Sequence, residues 1–271
     1  MHLVREPAVA GTFYPGSGHA LLEEVRRMLA NATVADAAAP TPPKALIVPH
    51  AGYIFSGATA ASAYALLKTS AHNIRRVVLL GPVHRVPVRG LAVPGVDAFS
   101  TPLGDIAVDT DAIDRLAYLP QVTISAPAHA QEHSLEVQLP FLQAVLPSFK
   151  LVPLAVGDAT AREVTQVLEE LWGGPEALIV ISSDLSHFLP YAIAQATDQN
   201  TVDHILRLDG PLTHAQACGA TPVNGLLLAA RAHNMHTQLL AQCNSGDTAG
   251  DRQRVVGYAA VAFTEEHHGV E

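Results

Sequence analysis

Short apolar runs of strand type recur along this chain, several of them without alternation: ALIVP (45–49), RVVLLG (76–81), KLVPLAVG (150–157), ALIVIS (177–182), TQLLAQC (237–243) and RVVGYAAVAF (254–263). A strand with one wet face alternates polar and apolar residues. A run without alternation is what a strand shows when both faces are covered, as in a largely parallel sheet held between helices. The segments between these runs carry helical spacing. Residues 18–31 place Leu21, Leu22, Val25, Met28 and Leu29 on one stripe behind Ser17, a natural N-cap. Residues 57–68, 133–146, 160–172, 191–208 and 222–233 read as helices in the same way. The alternation predicts an α/β sandwich, with a largely parallel central sheet, helices on both faces and residues 1–271 forming one domain. The small, Pro-rich stretch 32–43 reads as a surface connection.

Charge narrows the function classes. Sixteen Lys and Arg stand against 25 Asp and Glu, a formal charge of −9. With no clustered basic patch, neither nucleic acid nor an anionic membrane surface is an expected partner. The N-terminus lacks a charged segment followed by an apolar one, and no apolar run is long enough to span a bilayer. Two cysteines, Cys218 and Cys243, are too few for a disulfide framework, so the expected compartment is the reducing cytoplasm. The sequence contains neither a glycine-rich phosphate loop nor a GxSxG elbow.

In open α/β sheets, ligands bind beyond the carboxyl ends of the strands. The residues that follow the apolar runs are therefore the candidates. His50 follows the first run, with Gly52 expected to turn the backbone away and Tyr53 to line the same cavity. His84 and Arg85 follow the second, and Ser183, Asp184 and His187 follow ALIVIS. Asn244, Ser245, Gly246 and Asp247 follow TQLLAQC. Imidazoles with a carboxylate can hold non-haem Fe(II) or a catalytic zinc. Each residue also has a plainer reading, as a capping or turn residue; SSDLSH resembles a helix start. His133, between Glu132 and Glu136, either supports a metal ligand or opens an amphipathic helix. Cys218 stands at a helix start, and Cys243, beside the rim, is a reserve ligand. His267 and His268 sit in a charged tail with no expected role.

The ordered segments AVAGTFYPGS, PHAGYIFSG, LLGPVHR, EHSLEVQLPFL, ISSDLSH, ACGATPV and SGDTAGDRQRVVGYAA resemble the Memo-like family over essentially the whole chain. In bacteria and archaea that family supplies the component called AmmeMemoRadiSam system protein B. The resemblance implies a fold like that of the class III extradiol dioxygenases and a divalent metal, most readily iron, with copper or zinc as alternatives. It matches His50 and His84 to the family's two histidine ligands. Where animal members carry a cysteine ligand this chain has Thr248, preceded by Asp247, the preferred third ligand here. Asp184 and His187 match further pocket residues, with His187 as acid/base and Asp184 orienting it through an i, i+3 helical spacing. The family's name implies radical SAM and AMMECR-type partners. Three functions follow as expectations: a dioxygenase-like, iron-dependent oxidoreductase acting on a small molecule, a non-catalytic iron- or copper-binding protein, and a zinc-type hydrolase in which Asp184 or Glu132 activates water.

Overall fold

Four of the apolar runs form the middle of one nine-stranded sheet, and the last two, 237–243 and 254–263, lie on its flank. The structure is a computed structural model and describes residues 2–32 and 41–265. Most of the connection at 32–43, and His267 with His268, lie outside the described residues. The elements in chain order begin with β1 (Val4–Arg5), α1 (Gly18–Asn31), β2 (Ala45–Val48), α2 (Tyr53–Ala65), β3 (Arg76–Pro82) and β4 (Leu91–Val93). Next come β5 (Ala98–Thr101), β6 (Gly104–Ala107), α3 (Thr110–Asp114), β7 (Val122–Ile124), α4 (Ala126–Ala130), α5 (Leu139–Val145) and β8 (Lys150–Val156). The chain finishes with α6 (Ala161–Leu171), β9 (Ala177–Ser182), β10 (His187–Leu189), α7 (Tyr191–Leu206), α8 (Ala220–Ala232), β11 (His236–Asn244) and β12 (Val255–Thr264).

The large sheet runs β10-β12-β2-β9-β3-β8-β4-β7, with β11 also paired to β12. Its centre, β2-β9-β3-β8, is parallel, as the runs predicted. Its flanks are not: β12 is antiparallel to β2, β10 and β11 are antiparallel to β12, and β4 is antiparallel to β8. The sheet is therefore mixed around a parallel core. Alternate residues of each central strand enter opposite cores. Leu46, Val77, Leu79 and Val180 pack on the side of α1, α2 and α5, while Ile47, Val78, Leu80 and Ile179 pack on the side of α6 and α8. Both faces are covered, which is why no polar residue interrupts these runs. Among the described residues, no helix is long and apolar enough to cross a membrane.

Two local departures matter for the site. Helix α2 starts at Tyr53, earlier than expected, and Gly52 caps it at φ −56°. Any residue can adopt that angle, so the exit of the chain after His50 does not depend on glycine. The helix expected over 133–146 is reduced to a 3-10 turn at Glu136–Gln138 followed by α5. Pro140 stands in the first turn of α5, and its ring disfavours a helix running through it from upstream. Residues 133–135 are thereby released into a loop.

That loop is held by a buried charge pair the sequence did not disclose. Arg5 pairs with Glu136, and its guanidinium also donates to the carbonyls of His129 (3.0 Å) and Glu132 (2.6 Å). Glu136 further accepts the amides of Ala8 (2.8 Å) and Val9 (3.0 Å) and the Tyr14 hydroxyl (2.6 Å). The N-terminal arm and the 129–136 segment are thus one unit, extended by a small second sheet, β1-β5-β6. Breaking a buried pair leaves an uncompensated charge, so Glu136→Gln is expected to cost about 3–5 kcal/mol. The check is a urea denaturation series, which should show a lower midpoint at an unchanged slope.

Candidate functional site

Each parallel strand delivers its last residues to the same end of the sheet. His50 leaves β2 behind Pro49, and His84 follows β3 by two residues. Between them β9 ends in Ser182, with Asp184 just beyond. The loop released before α5 crosses this end and is pinned by Ser134. Its hydroxyl donates to the Pro82 carbonyl at the end of β3 (2.9 Å), and its own carbonyl accepts the Ser182 hydroxyl at the end of β9 (2.6 Å). This places His133 beside His50 and His84. Ligand atoms of the three histidines lie within 4.8 Å of one another, close enough to hold one metal ion. His84 and His133 stack with centroids 4.6 Å apart, and His50 stands edge-on to both.

The hydrogen bonds assign the protons. A hydroxyl has one donor and two acceptor positions. Ser182 gives its proton to the Ser134 carbonyl, so it can only accept from His50 Nδ1 at 2.9 Å and from the Gln138 amide at 2.8 Å. Gln138 is itself oriented, since its Nε2 also donates to the Pro49 carbonyl and its Oε1 accepts the Tyr64 hydroxyl. His50 therefore carries its proton on Nδ1 and a lone pair on Nε2. Glu132, an acceptor when ionised, lies 2.8 Å from His84 Nδ1 and 3.4 Å from His133 Nδ1. It takes the Nδ1 proton of His84, as a carboxylate behind a metal-binding histidine does, and stands beside the His133 ring as a counter-charge.

The ionisation states agree with this assignment. Burial, with the neighbouring His84 adding to it, pushes His50 down to about 3. Burial and His50 push His133 down to about 4. Burial would raise Glu132, but bonds from the His84 ring and from the amides of Ser134 and His84 outweigh it and hold the carboxyl at about 2. The result is two neutral imidazoles, His50 and His133, over an ionised carboxylate near neutrality. With Nδ1 of His50 on Ser182 and Nδ1 of His84 on Glu132, those two rings keep an Nε2 lone pair, and with His133 beside them the donor set suits the divalent metal that the sequence resemblance implied.

The remaining candidates fall into two places. Asp184 is buried at the site, where its carboxylate accepts the His50 amide at 2.7 Å, and burial raises its pKa. It does not orient His187. Residues 187–189 form β10 and not a helical turn, and His187 Nδ1 faces the Leu185 carbonyl at 2.9 Å. The register of β10 on β12 shifts between His187 and Leu189, around Phe188 at φ +60°. Such an irregularity re-aims a side chain. His187 is near enough for its charge to act on both His50 and Asp184. Cys218 Sγ lies 3.4 Å from His50 Nε2 and, with that nitrogen unprotonated, serves as the donor. Burial and then Asp184 push this thiol up to about 12.

Asp247, expected as the third donor, is elsewhere. It caps the 3-10 turn Ser245–Asp247, accepting the Asn244 amide at 3.0 Å and the Tyr191 hydroxyl. Cys243 shares that separate, polar cavity and bonds Thr59 at 3.1 Å. Tyr53 is in the core, packed on Tyr14 and Phe141 with its hydroxyl on the Val137 carbonyl. Ser134, Gln138 and Ser182 complete the site, and no motif in the sequence marks them. Their only signal is that short hydroxyl and amide side chains stand beside the ends of apolar segments, where burial obliges them to bond to protein groups.

The profile of the family described as Memo-like protein matches residues 5–262. A MEMO1 family protein of Aquifex aeolicus is 36% identical over 96% of this chain and 99% of its own length. One from Ignicoccus hospitalis is 37% identical over 96% and 99%. Among solved structures, an uncharacterized protein JW3007 from Escherichia coli K12 matches the fold with a TM-score of 0.51, at 15% identity. That match covers 80% of this chain and 98% of the other.

His129, behind the site, gives a pH test that does not depend on a metal. Burial pushes it down to about 4; its Nε2 faces the Ala92 carbonyl and its Nδ1 has no partner. Between its folded value and the ordinary value of about 6.5, the unfolded chain holds the extra proton, so stability rises with pH in that window. Acidification from 6.5 to 4 is expected to remove on the order of 3 kcal/mol through this group alone. Urea midpoints measured across the window should fall more shallowly in His129→Gln than in the parent protein.

Proposed function

The chain belongs to the Memo-like family, and on that premise we propose that its three-histidine centre holds a divalent metal, Fe(II), and serves an oxidoreductase reaction on a small molecule. The observation that supports this most is the convergence itself: ligand atoms of His50, His84 and His133 lie within 4.8 Å of one another, while Ser182 holds the Nδ1 proton of His50 and Glu132 that of His84. Bound there, iron supplies a Lewis acid and a redox-active centre for oxygen chemistry. Protein residues do the rest. Glu132 neutralises part of the added charge and fixes the rings, and Asp184 fixes the backbone from which His50 projects. His187 keeps its Nδ1 proton on the Leu185 carbonyl, which leaves Nε2 to take or give a proton at the substrate. A cavity of about 530 Å³ opens beside His84, within the range of small-molecule sites and with room for a substrate that contributes more than one donor.

A second reading, a zinc-dependent hydrolase, is favoured by one observation: the three converging donors are all imidazoles, a set that suits catalytic zinc. Metal analysis of protein purified anaerobically without added metal separates the two. About one iron per chain is expected; zinc at that ratio supports the second reading, and no bound metal rejects both. His84→Ala and His133→Ala should each lose most of the metal with an unchanged far-UV spectrum.

His187→Ala should retain the metal. Its turnover, once a substrate is in hand, is expected to fall by a factor on the order of 10²–10⁴. Loss of metal in this variant would make His187 a ligand.

A further inference from the structure

The cavity beside the histidines has a chemical polarity that names a class of occupant. One end is His84, a member of the converging group, with the Cys218 thiol beside it. Its flank is apolar, built by Val86, Val88, Val156 and Pro222. Arg85, the residue after His84, also lines it. Among the described residues, no carboxylate lies within ion-pairing distance of the Arg85 guanidinium. Other exposed arginines are also unpaired, but Arg85 is the arginine on the wall of this cavity. The acid on the same wall, Asp158, acts on Arg89, which is charge-paired to Glu163. In a chain of net charge −9, a cation so placed beside a candidate metal centre is out of keeping with the average surface.

We propose that Arg85 is a specificity-determining residue that receives the carboxylate of a small acid, whose apolar body lies along Val86, Val88 and Val156 and whose far end reaches the histidine centre. The assignment deepens the metal-dependent reading and rests on it for the role of that far end. A planar guanidinium matches a carboxylate with two parallel N–H···O bonds, and no change in the protein's own pairing is needed to free it. A single guanidinium with Asp158 on the same wall suits one negative charge better than two.

The test uses benzoate and its neutral isostere benzamide as probes, titrated by NMR into the metal-free, full-length protein. Benzoate is expected to bind about tenfold or more tightly than benzamide, the scale of one charge-assisted hydrogen bond. Arg85→Gln should abolish that preference while leaving benzamide unchanged, and Arg85→Lys should restore part of it. Arg26→Gln, an exposed arginine on α1, should behave as the parent protein. Equal binding of the two probes, no benzoate binding, or a preference that survives Arg85→Gln overturns the proposal. Phenyl phosphate binding more tightly than benzoate overturns the carboxylate assignment. The same titration in His133→Ala separates the two readings. An Arg85-dependent preference there upholds the acid subsite even if metal analysis shows that the histidines hold no ion.

Discussion

The site depends on one hydroxyl proton. Ser182, at the end of β9, donates to the Ser134 carbonyl and is thereby forced to accept from His50 and Gln138. That single choice joins a central strand, the crossing loop and a candidate ligand. It also decides which nitrogen of His50 has the lone pair. Every member is buried: Ser134, Gln138 and Ser182 show no exposure, and His50 shows 2%. A buried polar group without a partner costs about 1–3 kcal/mol, so the arrangement is stable only while each bond is made. The polar residues at these strand ends therefore have a structural duty and a chemical one at once.

Charge at the site follows from the same geometry. Glu132 receives both a ring and a backbone bond from His84 and the amides of His133 and Ser134, so it stays ionised despite burial. His50 is held neutral by burial and the neighbouring His84, and His133 by burial and His50. A fixed carboxylate behind neutral imidazoles is an arrangement that a divalent cation completes. The Arg5–Glu136 pair beneath keeps the loop carrying Glu132 and His133 from moving away.

Much of this was legible in the sequence, and the rest was hidden for identifiable reasons. The six apolar runs are all strands, and His50 and His84 are where their positions after two of those runs put them. Strand direction at the flanks was not readable, because β12 is as apolar as β2 and apolar content says nothing about polarity of pairing. Strands β4 to β7 have three or four residues each, too few for a period to show. His133 was masked by a helical pattern that Pro140 and Ser134 interrupt. Asp247 has the strand-end position of a ligand but is used as a cap, and nothing local distinguishes the two. The family resemblance pointed to His50 and His84, and the geometry adds His133 to them as a third converging donor.

The central claim is that three imidazoles, and neither thiol, converge on one ion. X-ray absorption at the edge of whichever metal co-purifies tests it most directly. The account predicts a first shell of light scatterers with the outer-shell pattern of about three imidazoles. A sulfur shell near ~2.3 Å, assignable to Cys218 or Cys243, would contradict it, as would a shell showing a single imidazole.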